Sequence, residues 1–285
     1  MNNNIINKGE LRHLGLNIQS TFESPLISIV TVVYNNVNSL EKTILSIINQ
    51  SYVNIEYIII DGGSTDGTID IIKKYNDKID YWISEPDKGL YYAMNKGLHH
   101  ATGKWINFMN SGDSFFQNTT IEEIFSHQYK DGVIYGDVFF SFDGSNNVYV
   151  EAKPLKNFWK GMQFVHQATF VSTEIMKKFP FDTKYKLIAD YNSLYQIFLS
   201  NINFHYINLP VCKFLAGGLS DNSPKTIIEC QKMIFPIHRD VHIKFYYYFR
   251  YVECLIKYNF AKSIGQSNYA FIRLIKRKML DTFAY

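Results

Sequence analysis

The sequence predicts an α/β fold: a mostly parallel β-sheet that becomes mixed toward its end, flanked by helices and followed by a helical C-terminal extension. Three observations predict it. Leu26 to Tyr34, Ile55 to Ile60, Ile79 to Ile83 and Lys104 to Met109 are apolar over most of their length, as strands covered on both faces must be. Segments with apolar residues at helical spacing alternate with them. Each run ends in a polar loop, and in open α/β sheets ligands bind over the carboxyl edge of the strands.

Residues 1–24 are polar and read as a loose arm, so a domain is expected over 25–224, with 225–285 as a basic, aromatic helical tail. The first strand ends at Tyr34 and Asn35, after which Leu40, Ile44, Ile47 and Ile48 share one helical face. The second ends at Asp61, whose turn through Gly67 carries Ser, Thr and Asp residues able to cap a helix over Thr68 to Tyr75. The third runs into a loop holding Glu85, Asp87 and Lys88. A short helix follows, with Ala93, Met94, Gly97 and Leu98 at helical spacing up to a stop at Gly103. The fourth strand delivers the polar turn Asn110-Ser111-Gly112-Asp113. Val133 to Phe140 and Asn147 to Ala152 read as strands joined by the turn Asp143-Gly144-Ser145. His166 and Gln167 then interrupt an apolar stretch; alone, His166 reads as a hydrogen-bonded core histidine. Asp190 opens an amphipathic helix through Leu194, Ile197 and Phe198, where a helix cap is the plain alternative. Gly217-Gly218-Leu219-Ser220 ends the body.

With 46% hydrophobic residues, the 285-residue chain has ample apolar content for a packed interior. Cys212, Cys230 and Cys254 are widely spaced, which suggests neither a zinc site nor a disulfide framework and fits a reducing compartment. The N-terminus lacks the apolar core of a signal peptide, and no apolar run is long enough to span a bilayer, so a cytoplasmic protein is expected. The turn after the second strand is not G-x-G-x-x-G, and Gly103-Lys104 lacks the rest of a phosphate loop, which removes two familiar nucleotide motifs. What remains is polar groups in four successive strand-end loops, better explained by a shared ligand than by four unrelated turns. Asp113 in such a crevice suits a hard divalent cation bridging phosphate oxygens, although by itself it is equally a turn or cap residue. Charge is unevenly divided: residues 225–285 hold 11 Lys and Arg against 4 Asp and Glu, a net of +7 in a chain whose total is +3. A basic, aromatic tail points to an anionic surface, most simply a membrane, rather than to a nucleic-acid partner; packing onto the body or a second subunit in a homodimer is the alternative.

The ordered set VVYN (Val32 to Asn35), IDGGSTDGT (from Asp61), SEPDKGLYYAMNKG (Ser84 to Gly97), NSGD (Asn110 to Asp113), HQATF (His166 to Phe170), ADY (Ala189 to Tyr191) and GGLS resembles glycosyltransferase family 2, of the GT-A fold. The pattern is closest to bacterial enzymes that build surface polysaccharides such as capsule, exopolysaccharide or O-antigen. The resemblance covers residues 25–220. It implies a Rossmann-like mixed sheet flanked by helices, and inverting transfer from a UDP- or GDP-sugar to a hydroxyl of a saccharide acceptor, usually lipid-linked, with Mn²⁺ or Mg²⁺ as cofactor. By the same resemblance Val32 and Tyr34 line the base and ribose, and Asn35, Asp61, Glu85, Asp87, Lys88 and Asn95 complete the donor site. Asp113 binds the metal, Asp190 is the catalytic base, and His166 and Gln167 lie near sugar and acceptor. The tail then places the enzyme at the inner face of the cytoplasmic membrane.

The sequence departs from the family twice. Gly62 and Gly112 stand where members often carry Asp, which bears on the base contact and leaves one protein carboxylate for the metal. The chemistry is consistent with this set, because a cation that offsets charge on a leaving diphosphate removes the need for a general acid and leaves one base to supply. An Asp with an ordinary pKa of about 3.9 is ionised at neutral pH and fills that role. A non-catalytic sugar-nucleotide-binding scaffold is the alternative. A nucleotidyltransferase would need a Gly- and Arg/Lys-rich loop after the first strand, where Tyr34-Asn35-Asn36-Val37 stands.

Overall fold

A computed structural model of the chain describes residues 7–10, 21, 23–141, 147–215 and 223–264. They fall into two compact units, one within Met1–Gly217 and the other within Gly218–Tyr285. In the first, β2 (Ile27–Val33), β3 (Ile55–Asp61), β4 (Tyr81–Ser84) and β5 (Trp105–Phe108) lie parallel. All of β2 is buried, as a strand apolar over its length requires. The connecting helices are α1 (Val37–Ile48), α2 (Thr68–Lys74) and α3 (Leu90–His100). Gly97 lets α3 close on β2, since a Cβ there would stand 2.3 Å from Val30 Cγ1.

The remaining strands are β1 (Asn7–Glu10), β6 (Ser114–Phe115), β7 (Val133–Ser141), β8 (Asn147–Val150), β9 (Thr169–Ser172) and β10 (Phe204–Leu215). Across the sheet the order is β1-β4-β3-β2-β5-β9-β7-β10-β6, with β8 paired to β7. β9 runs antiparallel to both β5 and β7, which makes the sheet mixed. Helices α4 (Thr120–Phe125), α5 (Thr173–Lys178) and α6 (Ala189–Leu199) complete the unit. The chain steps outward from β2 through β3 to β4, then lays β5 on the other side of β2. Strand order therefore reverses between β2 and β5, and a crevice forms at their carboxyl ends. Val33, Asp61 and Ser84 are in register, so three loops leave the sheet at one level.

Part of the supposed loose arm is ordered. Asn7–Glu10 pairs antiparallel with Tyr81–Ser84 and covers what would otherwise be an open sheet edge. Gly9 fits there because a Cβ would collide with the Trp82 indole, which donates to Asn76 Oδ1 at 2.7 Å. β10 has no counterpart in the periodicity reading; Pro210 interrupts it and the register shifts on either side of that residue. The second unit holds α7 (Pro224–Ile237) and α8 (Val241–Ile264), packed through Phe235 and Tyr247 with ring centroids 5.9 Å apart. The Asp143-Gly144-Ser145 turn, the Gly217–Ser220 stretch and the basic cluster Arg273, Lys276, Arg277 and Lys278 lie outside the described residues. Among those described, no helix is long and apolar enough to cross a membrane.

Candidate active site

The first half of the crevice is shaped by the loops after β2 and β3. Asn35 adopts a left-handed conformation (φ +46°), which places its amide 2.7 Å from Ser64 Oγ and its Oδ1 2.9 Å from the Thr65 amide. Asp61 is fully buried and turned inward: Oδ2 accepts from the Gly63 and Ser64 amides and from Ser84 Oγ at 2.5 Å, and Oδ1 accepts from Ser64 Oγ. It shapes the loop, with both oxygens accepting from the protein. Tyr34 is 65% exposed. Between its ring and Asp87 lies Gly62, where a Cβ would stand 2.8 Å from Asp87 Oδ2 and 3.3 Å from Tyr34 Cδ2. The next loop thus brings the Asp87 carboxylate beside Gly62. Lys88 is exposed beside it.

Three residues of the expected donor set make contacts within the protein. The Val32 side chain is buried in the sheet, leaving only its carbonyl to take the Ser111 amide at 3.2 Å. Glu85 pairs with Lys96 at 2.5 Å. Asn95 exchanges two hydrogen bonds with the backbone of Phe181, at 2.7 and 3.0 Å, and so pins α3 to that segment.

In the second half of the crevice, β5 ends in the turn that carries Asp113, with Gly112 at φ +105°. Thr43 of α1 fixes this turn by donating to the Asp113 carbonyl at 2.7 Å and accepting from the Gly112 amide. Asn36 ties it to the β2 loop through Ser111 Oγ at 3.0 Å. The Asp113 carboxylate is buried, with Oδ2 accepting from Gln167 Nε2 at 2.7 Å and Oδ1 from the Leu215 amide at 2.9 Å. Burial pushes its pKa up to about 6, against the pull of those two donors.

Asp190, second residue of α6, is held by side chains from two other segments. Oδ2 lies 2.8 Å from His166 Nδ1, and Oδ1 accepts from the Tyr91 hydroxyl at 2.8 Å. Burial works to raise its pKa, but His166 and Tyr91 outweigh it and hold the carboxyl below the ordinary value. Nδ1 facing a carboxylate carries the proton, so in the neutral ring Nε2 is an acceptor, matching Asn110 Nδ2 at 3.2 Å. His166 and Gln167 occupy one 3₁₀ turn, His166–Ala168, held to β5 by Asn107 Nδ2 donating to the Gln167 and Thr169 carbonyls. One dipeptide thus grips Asp190 with its first residue and Asp113 with its second.

Sequence reasoning missed Tyr91, Asn36 and the Leu215 amide. Tyr91 shares the buried face of α3 with Met94 and Leu98, and a hydroxyl on an apolar face needs a partner, which was the available signal. The Leu215 amide carries none.

On two residues hydrogen-bonded to Asp113, Gln167 Oε1 and Asn110 Oδ1 are buried without hydrogen-bond partners. Unfilled amide oxygens beside a buried carboxylate form a hard donor set of the kind Mg²⁺ or Mn²⁺ takes. Among the described residues no three His, Cys, Asp or Glu side chains cluster to hold a metal by themselves, so a cation here would draw most of its ligands from substrate and water.

The model of the glycosyl transferase family 2 domain matches residues 28–186, more than half of the chain. The chain belongs to glycosyltransferase family 2. Among the relatives, an uncharacterised glycosyltransferase of Mycobacterium tuberculosis is 28% identical over 224 residues, covering 76% of this chain and 85% of the relative. A glycosyltransferase of PGL/p-HBAD biosynthesis from Mycobacterium bovis is 27% identical over 208 residues, covering 70% and 80%. The fold is likewise that of solved structures. Staphylococcus aureus TarS 1-349 in complex with UDP superposes with a TM-score of 0.58 at 18% identity, covering 73% of this chain and 64% of that one. The chain thus spans just under two thirds of that TarS chain. The mannosyltransferase PcManGT of Pyrobaculum calidifontis, in complex with GDP-Man and Mn²⁺, gives a TM-score of 0.58 at 15% identity over 91% of this chain and 81% of the other. The GT-A assignment made from the motifs stands on these matches.

Proposed function

We propose that this family 2 glycosyltransferase moves a sugar, with inversion, from a nucleotide-diphosphate sugar to a hydroxyl of a lipid-linked saccharide in the synthesis of a bacterial surface polysaccharide. The observation that carries the reading is the His166–Gln167 pair, which joins one carboxylate suited to a cation, Asp113, to one suited to a proton, Asp190. The bound nucleotide or nucleotide-sugar in the fold neighbours TarS and PcManGT supports the donor class. The PGL/p-HBAD relative supports a cell-surface glycan as product class.

Tyr34, Gly62 and Asp87 form the nucleoside end of the donor site, where a side chain at position 62 would displace the Asp87 carboxylate. Asp113, with Gln167 and Asn110, would hold a Mn²⁺ or Mg²⁺ ion, which when bound offsets the negative charge growing on the leaving diphosphate. Asp190, on the acceptor side, takes the acceptor's proton as the new carbon–oxygen bond forms and the bond to the diphosphate breaks. Tyr91 and His166 fix the direction of that carboxylate and keep it ionised. Proton transfer can be late, since the acceptor hydroxyl becomes strongly acidic only as it bonds to carbon.

The test is transfer and donor hydrolysis across UDP-, GDP- and dTDP-sugars with and without Mn²⁺ or Mg²⁺. Asp190→Asn should keep donor affinity and lower kcat by about 10²–10⁴-fold. Near-normal turnover by that variant would reduce Asp190 to a structural residue.

A further inference from the structure

Helix α8 has two faces of different kinds. Ile243 and Tyr247 are buried toward α7, where Gln231 Nε2 also reaches the Tyr247 carbonyl. On the opposite side Val241, Phe245, Tyr248, Phe249, Val252 and Ile256 are between 36% and 66% exposed. At 3.6 residues per turn these six fall within about 100° of arc, one continuous stripe along more than half the helix. Scattered surface apolar residues need no explanation, but a contiguous stripe of this size marks an interaction surface.

The helix that carries it is basic. Lys244 borders the stripe on one side. On the other stands Glu253, the one acid of α8, which is ion-paired by Arg250 and Lys257 further round the helix. Over Val241–Ile264 the chain carries four Lys and Arg against one Glu.

We propose that α8 lies flat in the interface of an anionic lipid bilayer, its stripe at the boundary between headgroups and acyl chains and its Lys and Arg side chains reaching the phosphates. Phe and Tyr rings suit that depth, and long basic side chains reach from it to the headgroups. The helix is not apolar enough to cross. A second copy of the chain fits the stripe less well, because a two-fold interface sets like surface against like and would bring two helices of net positive charge together. The inference does not rest on the reaction proposed above, since the helix would bind lipid whatever the sugar transferred.

Sedimentation of the full chain with phosphatidylcholine vesicles, and with vesicles that also contain phosphatidylglycerol, tests it at low and high salt. Binding is expected to the anionic vesicles and to weaken with salt. The triple variant Phe245→Ser, Phe249→Ser, Ile256→Ser should bind at least about tenfold more weakly, with unchanged helicity by circular dichroism and unchanged donor binding. As a second readout, Phe249→Trp should shift its emission to the blue on adding anionic vesicles, because the chain's three native tryptophans, Trp82, Trp105 and Trp159, all lie outside this unit. Absence of vesicle binding by the well-folded full chain would overturn the proposal. So would full binding by the triple variant, or a dimer in analytical ultracentrifugation that the variant converts to monomer while vesicle binding persists.

Discussion

Asp113 and Asp190 belong to one hydrogen-bonded network, yet their surroundings push them in opposite directions. Asp113 titrates near 6 in the folded protein, above the value of about 3.9 for a free Asp. A raised folded-state pKa means that this carboxyl favours folding below about pH 4 and that its contribution is lost as the pH rises through 6. The Asp113→Asn variant keeps the shape, because the Leu215 amide still finds an oxygen and Gln167, whose Oε1 has no partner, can turn over to accept from the new amide. In urea titrations at pH 8 without metal, Asp113→Asn should therefore gain about 1–3 kcal/mol, while calorimetry shows loss of metal-dependent donor binding. A destabilised variant, or one with intact donor and Mn²⁺ binding, would contradict the role given to Asp113. For Asp190 the sign is opposite. His166 and Tyr91 lower its pKa, so Tyr91→Phe should raise it and move the acid limb of kcat/KM to higher pH. A limb that stays in place would mean that another group sets it.

The elements on which these residues stand were legible in proportion to how completely each is covered. The parallel strands announce themselves because burial on both faces demands unbroken apolar runs, and α1 to α3 because they bury one stripe. Asn7–Glu10 has no such signature: it pairs through its backbone at a sheet edge, where no apolar pattern is required. The site was half legible for a related reason. Asp113, His166, Gln167 and Asp190 stand out as polar types in apolar surroundings, whereas the contacts by which Asn95 and Glu85 hold α3 have no signature in the sequence. Gly97 offers a test at this scale. Alanine there should favour the helix by about 1 kcal/mol on propensity, but its Cβ would stand 2.3 Å from Val30, which has no exposed surface and nowhere to move. Overpacking costs about 1–3 kcal/mol and should win, so Gly97→Ala should lower Tm; an unchanged or higher Tm would show that α3 slides on the sheet.

At the scale of the whole molecule, charge and chemistry are divided between the two units. The side chains of the candidate site, from Tyr34 to Asp190, and the Leu215 amide belong to the first, whereas residues 225–285 hold a net +7 and leave −4 for the rest. A donor diphosphate must therefore enter a body of like charge, so its binding should depend on a divalent cation and weaken when the cation is chelated. The division also predicts where the chain can be cut. A protein ending at Ser223 keeps every group of the site and should bind donor with Mn²⁺ at nearly full-length affinity, while losing attachment to anionic vesicles. A protein ending at Phe214 removes in addition the amide that donates to Asp113 Oδ1 at 2.9 Å. Leaving a buried carboxylate oxygen without that donor costs about 1–3 kcal/mol, and donor affinity should fall with it. Calorimetric titration of the two truncations beside the full chain decides the matter: equal affinity in both would remove Leu215 from the site, and loss of affinity already at Ser223 would mean that the second unit contributes to donor binding.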